Sequence, residues 1–246
     1  MVNTQSRAAI VTGSSRGIGA AVVKRLAEDG FAVAINYSGD AAPANKLAST
    51  IKEAGGKALA IKADVSDPAE VKNLFDAVAT EFGRIDVLVN NAGIMKLAKL
   101  VDTDDQLFNQ SIAINLKGAF NCMREAAARL NAGGSIVNFS SSVVGLYQPS
   151  YAVYVATKGA IEAMTHVLSK ELGEKKITVN AIAPGPTATD LFLKDKSDEE
   201  IKPIVGRTPL GRLGEPDDIA RTVSFLVGPE GGWINGQVLR VNGGII

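Results

Sequence analysis

The sequence predicts an α/β protein built on a doubly wound parallel sheet of seven strands with helices on both faces. Short apolar runs alternate with amphipathic stretches along the whole chain. Several of the runs lack polar alternation, as expected of strands buried on both faces. Strands separated by helices pair in parallel through right-handed crossovers. No internal repeat, low-complexity tract or linker divides the 246 residues, so one domain over 1–246 is expected.

The strand candidates, in order, are Ala8–Thr12, Phe31–Asn36, Ala58–Ala63, Ile85–Asn90, Ser135–Ser140, Thr178–Ala183 and Gln237–Val241. An amphipathic helix follows the first strand to about Gly30. Another opens at Asp67-Pro68-Ala69-Glu70, with Asp67 as N-cap, Pro68 at N1 and Glu70 at N3 of an acidic capping box. A long helical stretch runs from about Asp104 to Leu130, and one more opens at Glu215-Pro216-Asp217-Asp218, with acids at the positive end of the dipole.

Composition narrows the function classes. Hydrophobic residues are 46% and charged residues 21%, a globular profile with a sizeable core. Lys+Arg and Asp+Glu both total 26, so no bulk field draws in nucleic acid or an anionic membrane. Cys122 is the single cysteine, which precludes an intrachain disulfide and fits a reducing compartment; mid-helix among small apolar residues, it is read as inert. The start, MVNTQSR, lacks the apolar core of a signal peptide, and no apolar run approaches the ~18 residues of a membrane span. A cytoplasmic protein is expected. The lone His166 and single cysteine make no case for a metal site.

Two motifs carry chemistry. The first strand runs into Gly13-Ser14-Ser15-Arg16-Gly17-Ile18-Gly19 and then a helix. Glycines there permit a tight turn and close backbone approach, and the helix N-terminus offers free N–H groups to a pyrophosphate. Further on, Tyr154-x-x-x-Lys158 places a phenol and an ammonium one helical turn apart, roughly 6 Å along the axis. A phenol is a poor proton donor or base at neutral pH, and a fixed ammonium beside it is expected to lower its pKa. An isolated pair of this kind on a helix is ordinarily surface packing, so it needs the rest of the chain. His166, about 18 Å from Tyr154 along the same helix, is too far to share its proton.

The Thr12-Gly-x-x-x-Gly17-Ile18-Gly19 turn, Asn90-Asn91-Ala92-Gly93 after the fourth strand and Tyr154-x-x-x-Lys158 together resemble the short-chain dehydrogenase/reductase family in its shorter form. The resemblance covers essentially the whole chain. It implies a Rossmann-type sheet and NAD(P)-dependent oxidation or reduction at a carbon bearing oxygen. By the same resemblance Asn115 holds a water linking Lys158 to solvent, Asp64-Val65 is the adenine-side pair, and Asn91-Ala92-Gly93 and Pro184-Gly185 enclose the nicotinamide side. Otherwise Asp64 reads as a turn or capping acid. Thr187 and Thr189 are candidates for the carboxamide, not separated by sequence. Residues 187–214 resemble a substrate lid, with Leu191, Phe192 and Leu193, and across from them Leu146, Tyr147 and Tyr151, as an apolar wall. Homodimers or homotetramers through the two helices rich in small residues are the expected assembly.

NADP is expected over NAD. The second strand ends Asn36-Tyr37-Ser38-Gly39, with no acid before Asp40 for the adenosine ribose. Arg16 is placed to pair with a 2′-phosphate, assisted by neutral donors at Asn36 and Ser38; Asp40 folding back is the alternative. The catalytic serine is expected at Ser141, three residues after Asn138 and thirteen before Tyr154. Ser142, which directly precedes a Val-x-Gly segment, competes. Tyr154 is then the general acid/base, Lys158 its modulator and ribose ligand, and Ser141 the partner of the substrate oxygen, a small-molecule carbonyl or alcohol. A 3-oxoacyl-thioester reductase, a sugar dehydrogenase and a noncatalytic NADP-binding sensor or scaffold are the alternatives. Trp233 is expected to anchor the chain's end.

Overall fold

The computed structural model describes residues 6–194 and 196–246; residues 1–5 of the N-terminal stretch and Asp195 of the segment 187–214 lie outside the described residues. Seven strands are formed: β1 (Ala8–Val11), β2 (Ala32–Tyr37), β3 (Lys57–Lys62), β4 (Val87–Asn90), β5 (Ser135–Phe139), β6 (Thr178–Pro184) and β7 (Val238–Val241). They make one sheet in the order β3-β2-β1-β4-β5-β6-β7, every pairing parallel. The strand order reverses between β1 and β4, and the crevice beyond their C-terminal ends is where such sheets bind ligands.

The helices are α1 (Gly17–Glu28), α2 (Ala42–Glu53), α3 (Pro68–Phe82), α4 (Asp105–Ser111), α5 (Ala119–Arg129), α6 (Val143–Leu146), α7 (Ala152–Glu171), α8 (Asp190–Leu193), α9 (Asp198–Gly206) and α10 (Pro216–Val227). Alternate residues along each strand face opposite layers. Val11, Val33, Ile35 and Val89 pack against α1, α2 and α10 through Val22, Leu26, Ile51 and Val223. Ile10, Ala34, Leu88 and Ile136 pack against α3, α5 and α7 through Leu74, Phe75, Cys122 and Ile161. Both sides of the strands are therefore apolar, which explains their continuous hydrophobic runs. No helix among the described residues is long and apolar enough to cross a membrane.

Two local expectations are corrected. Asp67 caps α3 by accepting from Ala69 N–H at 2.7 Å, but Glu70 does not close a box on Asp67. Its carboxylate reaches to Asp64 N–H at 2.7 Å, while Asp67 N–H goes to the Asp64 carbonyl at 3.1 Å. The stretch expected as one regular helix from 104 to 130 is α4 and α5 joined by a π-helical segment, Ile112–Gly118. Such segments widen the helix and are frequent at functional sites. This one carries Asn115, 1% exposed.

Candidate active site

The glycine turn is locked to the end of β4. The Thr12 hydroxyl accepts from the N–H groups of Asn91 and Ala92, both at 3.0 Å, and Asn91 Nδ2 donates to the carbonyls of Thr12 and Gly13, both at 2.9 Å. The approach is close enough to require glycine twice. A Cβ on Gly13 (φ 59°) would lie 2.8 Å from Ala92 Cα, and one on Gly19 would lie 2.6 Å from Asn91 Nδ2. Arg16, the N-cap of α1, makes no side-chain cap, and no acid sits in the first turn of that helix. The free N–H groups and positive dipole end therefore face the cleft, as an anion site requires.

A cavity runs over this turn; it is lined by the candidates of the glycine turn and of the ends of β2, β3 and β4. The side chains at the end of β2 divide their work. Asn36, 1% exposed, accepts from Gly13 N–H at 3.1 Å and donates to the Ala63 carbonyl at 2.9 Å. Its carboxamide orders the turn and has no donor to offer the cleft, which corrects the expectation that it assists a 2′-phosphate. Asp40 accepts from Ala42 N–H at 2.9 Å, at the start of α2. Asp64 holds the backbone N–H and hydroxyl of Ser66, at 2.9 and 2.8 Å, a turn role at the cavity's edge beside buried Val65. Arg16 and Ser38 remain exposed on the cavity wall.

The second cavity shares Ile18, Asn91, Gly93, Ile94, Thr189 and Leu191 with the first, so the two form one cleft. Ser141, Tyr154, Lys158, Pro184, Gly185, Thr187 and Thr189 all line it. The three consecutive serines are distinguished by their partners. Ser140 donates to Glu162 Oε1 at 2.6 Å; Ser142, 2% exposed, donates to the Ala183 carbonyl and accepts from Asn242 Nδ2, both at 3.0 Å. Ser141 is the one that acts on the Tyr154 phenol, favouring its charged form, and it accepts from Val143 N–H at 3.4 Å.

The electrostatics differ from the sequence expectation. Lys158, 5% exposed, turns its Nζ to the Phe139 carbonyl at 2.7 Å and stands 5.7 Å from the centre of the Tyr154 ring. Burial pushes the Tyr154 phenol up to about 12, with Ser141 pulling the other way, and burial lowers Lys158 to about 8. Proximity of the ammonium does not lower the phenol in this geometry, because desolvation opposes both charged forms. Asn115 clamps Ile94 from both sides, accepting from its N–H at 2.8 Å and donating to its carbonyl at 2.9 Å. It lies behind the cavity wall rather than on it: a Cβ on Gly93 would stand 3.2 Å from Asn115 Oδ1 and 3.7 Å from Lys158 Nζ.

Residues 13–246 match the family model described as Enoyl-(Acyl carrier protein) reductase. An NADPH-dependent aldehyde reductase-like protein, chloroplastic, of Arabidopsis thaliana is 42% identical over 98% of this chain and 94% of its own. A 3-oxoacyl-(acyl-carrier-protein) reductase of Staphylococcus aureus is 41% identical over 98% of each chain. A short chain dehydrogenase from Burkholderia cenocepacia, solved in complex with NADP, superposes with a TM-score of 0.93 at 39% identity over 99% of each chain. The chain is a short-chain dehydrogenase/reductase.

In this dehydrogenase/reductase the segment 187–214 leaves and rejoins the core at one point. Thr187 and Gly214 form an isolated parallel bridge, with Ala188 N–H on the Gly214 carbonyl at 2.8 Å and Gly214 N–H on the Pro186 carbonyl at 2.9 Å. Arg212 pairs with Asp218 of α10 at 2.6 Å beside this base and holds the Asp218 carboxyl down at about 2. The Thr187 hydroxyl donates to the Gly185 carbonyl at 2.9 Å, while Thr189 caps α8 by accepting from Phe192 N–H at 3.3 Å. Leu146, Tyr151, Leu191 and Phe192 line the cavity, whereas Tyr147 stands 75% exposed and, like Leu193, is not among its lining residues. Met95, Gln148, Ile204, Arg207 and Ile245 line it too. They come from four separate segments with no shared motif, and the sequence carries no signal for them. Trp233 is 99% exposed and anchors nothing, because its backbone turn points the ring outward from the end of the fold.

Proposed function

We propose that this short-chain dehydrogenase/reductase is an NADP(H)-dependent carbonyl reductase. The observation that carries this is the Ser141–Tyr154–Lys158 group at one end of a cleft whose other end is the glycine turn. The cradle left by Gly13 and Gly19, the uncapped N-terminus of α1 and the exposed Arg16 and Ser38 fit a phosphorylated dinucleotide. When bound, that cofactor supplies or takes up a hydride. Tyr154, held protonated at neutral pH by burial, gives its phenolic proton to the carbonyl oxygen in reduction and takes it back from the alcohol in oxidation. Ser141 holds the same oxygen and stabilises charge developing there. Lys158, fixed by the Phe139 carbonyl, presents its remaining N–H donors to the nicotinamide ribose. Asn115 braces Ile94 from both sides, and the second acceptor position of its Oδ1 is available to a water linking Lys158 to solvent.

Turnover is measured with NADPH against aldehydes, ketones, sugars, steroids and 3-oxoacyl thioesters. Binding of NADPH with no turnover across the panel would leave the sensor reading standing and remove this one. The Staphylococcus aureus relative favours one second reading, reduction of 3-oxoacyl thioesters, and the same panel decides it.

Two substitutions sharpen the assignment. Arg16→Ala is expected to lower kcat/KM with NADPH by about 10–100-fold, the range of one charge-assisted hydrogen bond, and to leave NADH little changed. An equal loss with both cofactors rejects the 2′-phosphate role. Ser141→Ala is expected to lower kcat about 100-fold, the size of one oxyanion donor. Ser142→Ala instead lowers stability by about 1–2 kcal/mol through the orphaned Asn242 and Ala183 groups, with turnover within a few-fold. Reversed phenotypes would exchange the two serines. Exposed Phe120 on α5 and Val167 on α7 support self-association through these helices, which sedimentation measures.

A further inference from the structure

The end of β5 and the residues after it face the proton-transfer pair at two points: the Phe139 carbonyl takes Lys158 Nζ at 2.7 Å, and Ser141 shares the cavity wall with Tyr154 and favours its phenolate. Between them sits Ser140, 3% exposed, whose N–H goes to the Ile182 carbonyl at 2.8 Å. Its hydroxyl donates to Glu162 Oε1 at 2.6 Å. Glu162 lies on α7, one turn beyond Lys158 and two beyond Tyr154. Among the described residues no ion pair involves Glu162. Its partly buried carboxylate is instead held by the serine, in a short charge-assisted hydrogen bond.

We propose that Glu162 is a positioning residue, a strut that fixes α7 against the end of β5 so that the Ser141–Tyr154 and Phe139–Lys158 contacts hold together. The proposal rests on Tyr154 and Lys158 being the reacting pair. Without the strut, β5 and α7 stay joined further along by Asn138 Nδ2 on the Thr165 hydroxyl at 3.0 Å and by Ile136 packed with Ile161, but at the Tyr154–Lys158 end they keep only the contacts that are themselves part of the chemistry. A helix displaced by a fraction of a turn then misaligns the phenol. Displacements on the order of 1 Å lower rates by up to about 100-fold without altering ground-state binding. Glutamine keeps an oxygen acceptor for Ser140 and so keeps the strut, whereas alanine removes it.

The test compares Glu162→Ala, Glu162→Gln, Ser140→Ala and the Ser140/Glu162 double alanine variant by steady-state kinetics with NADPH and a carbonyl substrate, alongside thermal melts. Glu162→Ala is expected to lower kcat about 10-fold with both KM values within about twofold, and Glu162→Gln to return kcat to within about threefold of the parent. The double variant is expected to be no slower than Glu162→Ala alone, because the two residues act through one bond. Multiplying defects, a Gln variant as slow as Ala, or a normal Ala variant would each overturn the strut. If Glu162→Ala does not fold, Ser140→Ala with the Gln variant decides: a normal kcat for Ser140→Ala rejects the proposal. An unmodified enzyme with no carbonyl turnover removes the functional reading and the strut with it, whereas an active enzyme with an indifferent Glu162 removes only the strut.

Discussion

Tyr154→Phe is expected to lower kcat for carbonyl reduction by about 100- to 10,000-fold while NADPH binding and the melting temperature stay close to those of the parent protein. The size follows from what is removed. In the proposed mechanism the phenolic hydroxyl is the proton donor at the reacting oxygen, and the nearest alternative, the Ser141 hydroxyl, is a far weaker acid. The preserved fold follows from what remains, because the ring edge packed near Tyr151 keeps its shape, with ring centres 6.4 Å apart. Stopped-flow measurement of NADPH consumption separates the two parts. Turnover within a few-fold of normal rejects Tyr154 as the acid. A collapsed melting temperature would make the loss one of folding instead.

Lys158→Met is expected to abolish turnover by a comparable factor and, in the opposite sense, to stabilise the ligand-free protein at pH 7. Burial brings the Lys158 ammonium from an ordinary 10.5 down to about 8. The unfolded chain therefore keeps this proton to higher pH than the folded one. The folded state bears its full penalty below pH 8 and is relieved of it as pH rises from 8 towards 10.5. Removing the charge removes a penalty of about 3 kcal/mol, less about 1 kcal/mol for a Phe139 carbonyl left without its donor, so a net gain of about 2 kcal/mol at pH 7 is expected. The gain shrinks as pH rises through that window. The comparison belongs below pH 10, because above it Tyr154, raised from 10 to about 12, adds a term of the opposite sign. Chemical denaturation at pH 7 and pH 9.5 measures both. A variant less stable at pH 7, or a gain that grows with pH, contradicts the burial account.

The sheet was legible because each strand is buried on both faces, and a continuous apolar run is what that requires; observed strand ends differ from those expected by at most two residues. The glycine turn was legible for a similar reason. Its backbone conformation and close approach demand residue types that stand out in any sequence. Side-chain direction was not. Asn36 reads as an available donor from its type and place, yet its carboxamide turns inward to Gly13 and Ala63, partners fixed by the β1 turn and the end of β3. Counting along the chain pointed to Ser141, but what distinguishes it from its neighbours lies at Glu162 and Asn242, 22 and 100 residues away from their serine partners. The π segment around Asn115 has no local propensity signature. The direction of the Tyr154 and Lys158 shifts depends on burial, which spacing along a helix does not report.

The bridged base of the segment 187–214 has a consequence for how the cavity wall can be remodelled. With Thr187 and Gly214 already side by side, the excursion between them is a cassette whose two attachment points do not depend on its contents. Loop closure depends only weakly on length, about 0.6 kcal/mol for each doubling. Lengthening, shortening or replacing the cassette therefore taxes the sheet little, while Leu191, Phe192, Ile204 and Arg207 on the cavity wall all change with it. That part of the cavity wall and the sheet are written in separable stretches of the chain, and a graft made at that bridge should exchange the first without disturbing the second.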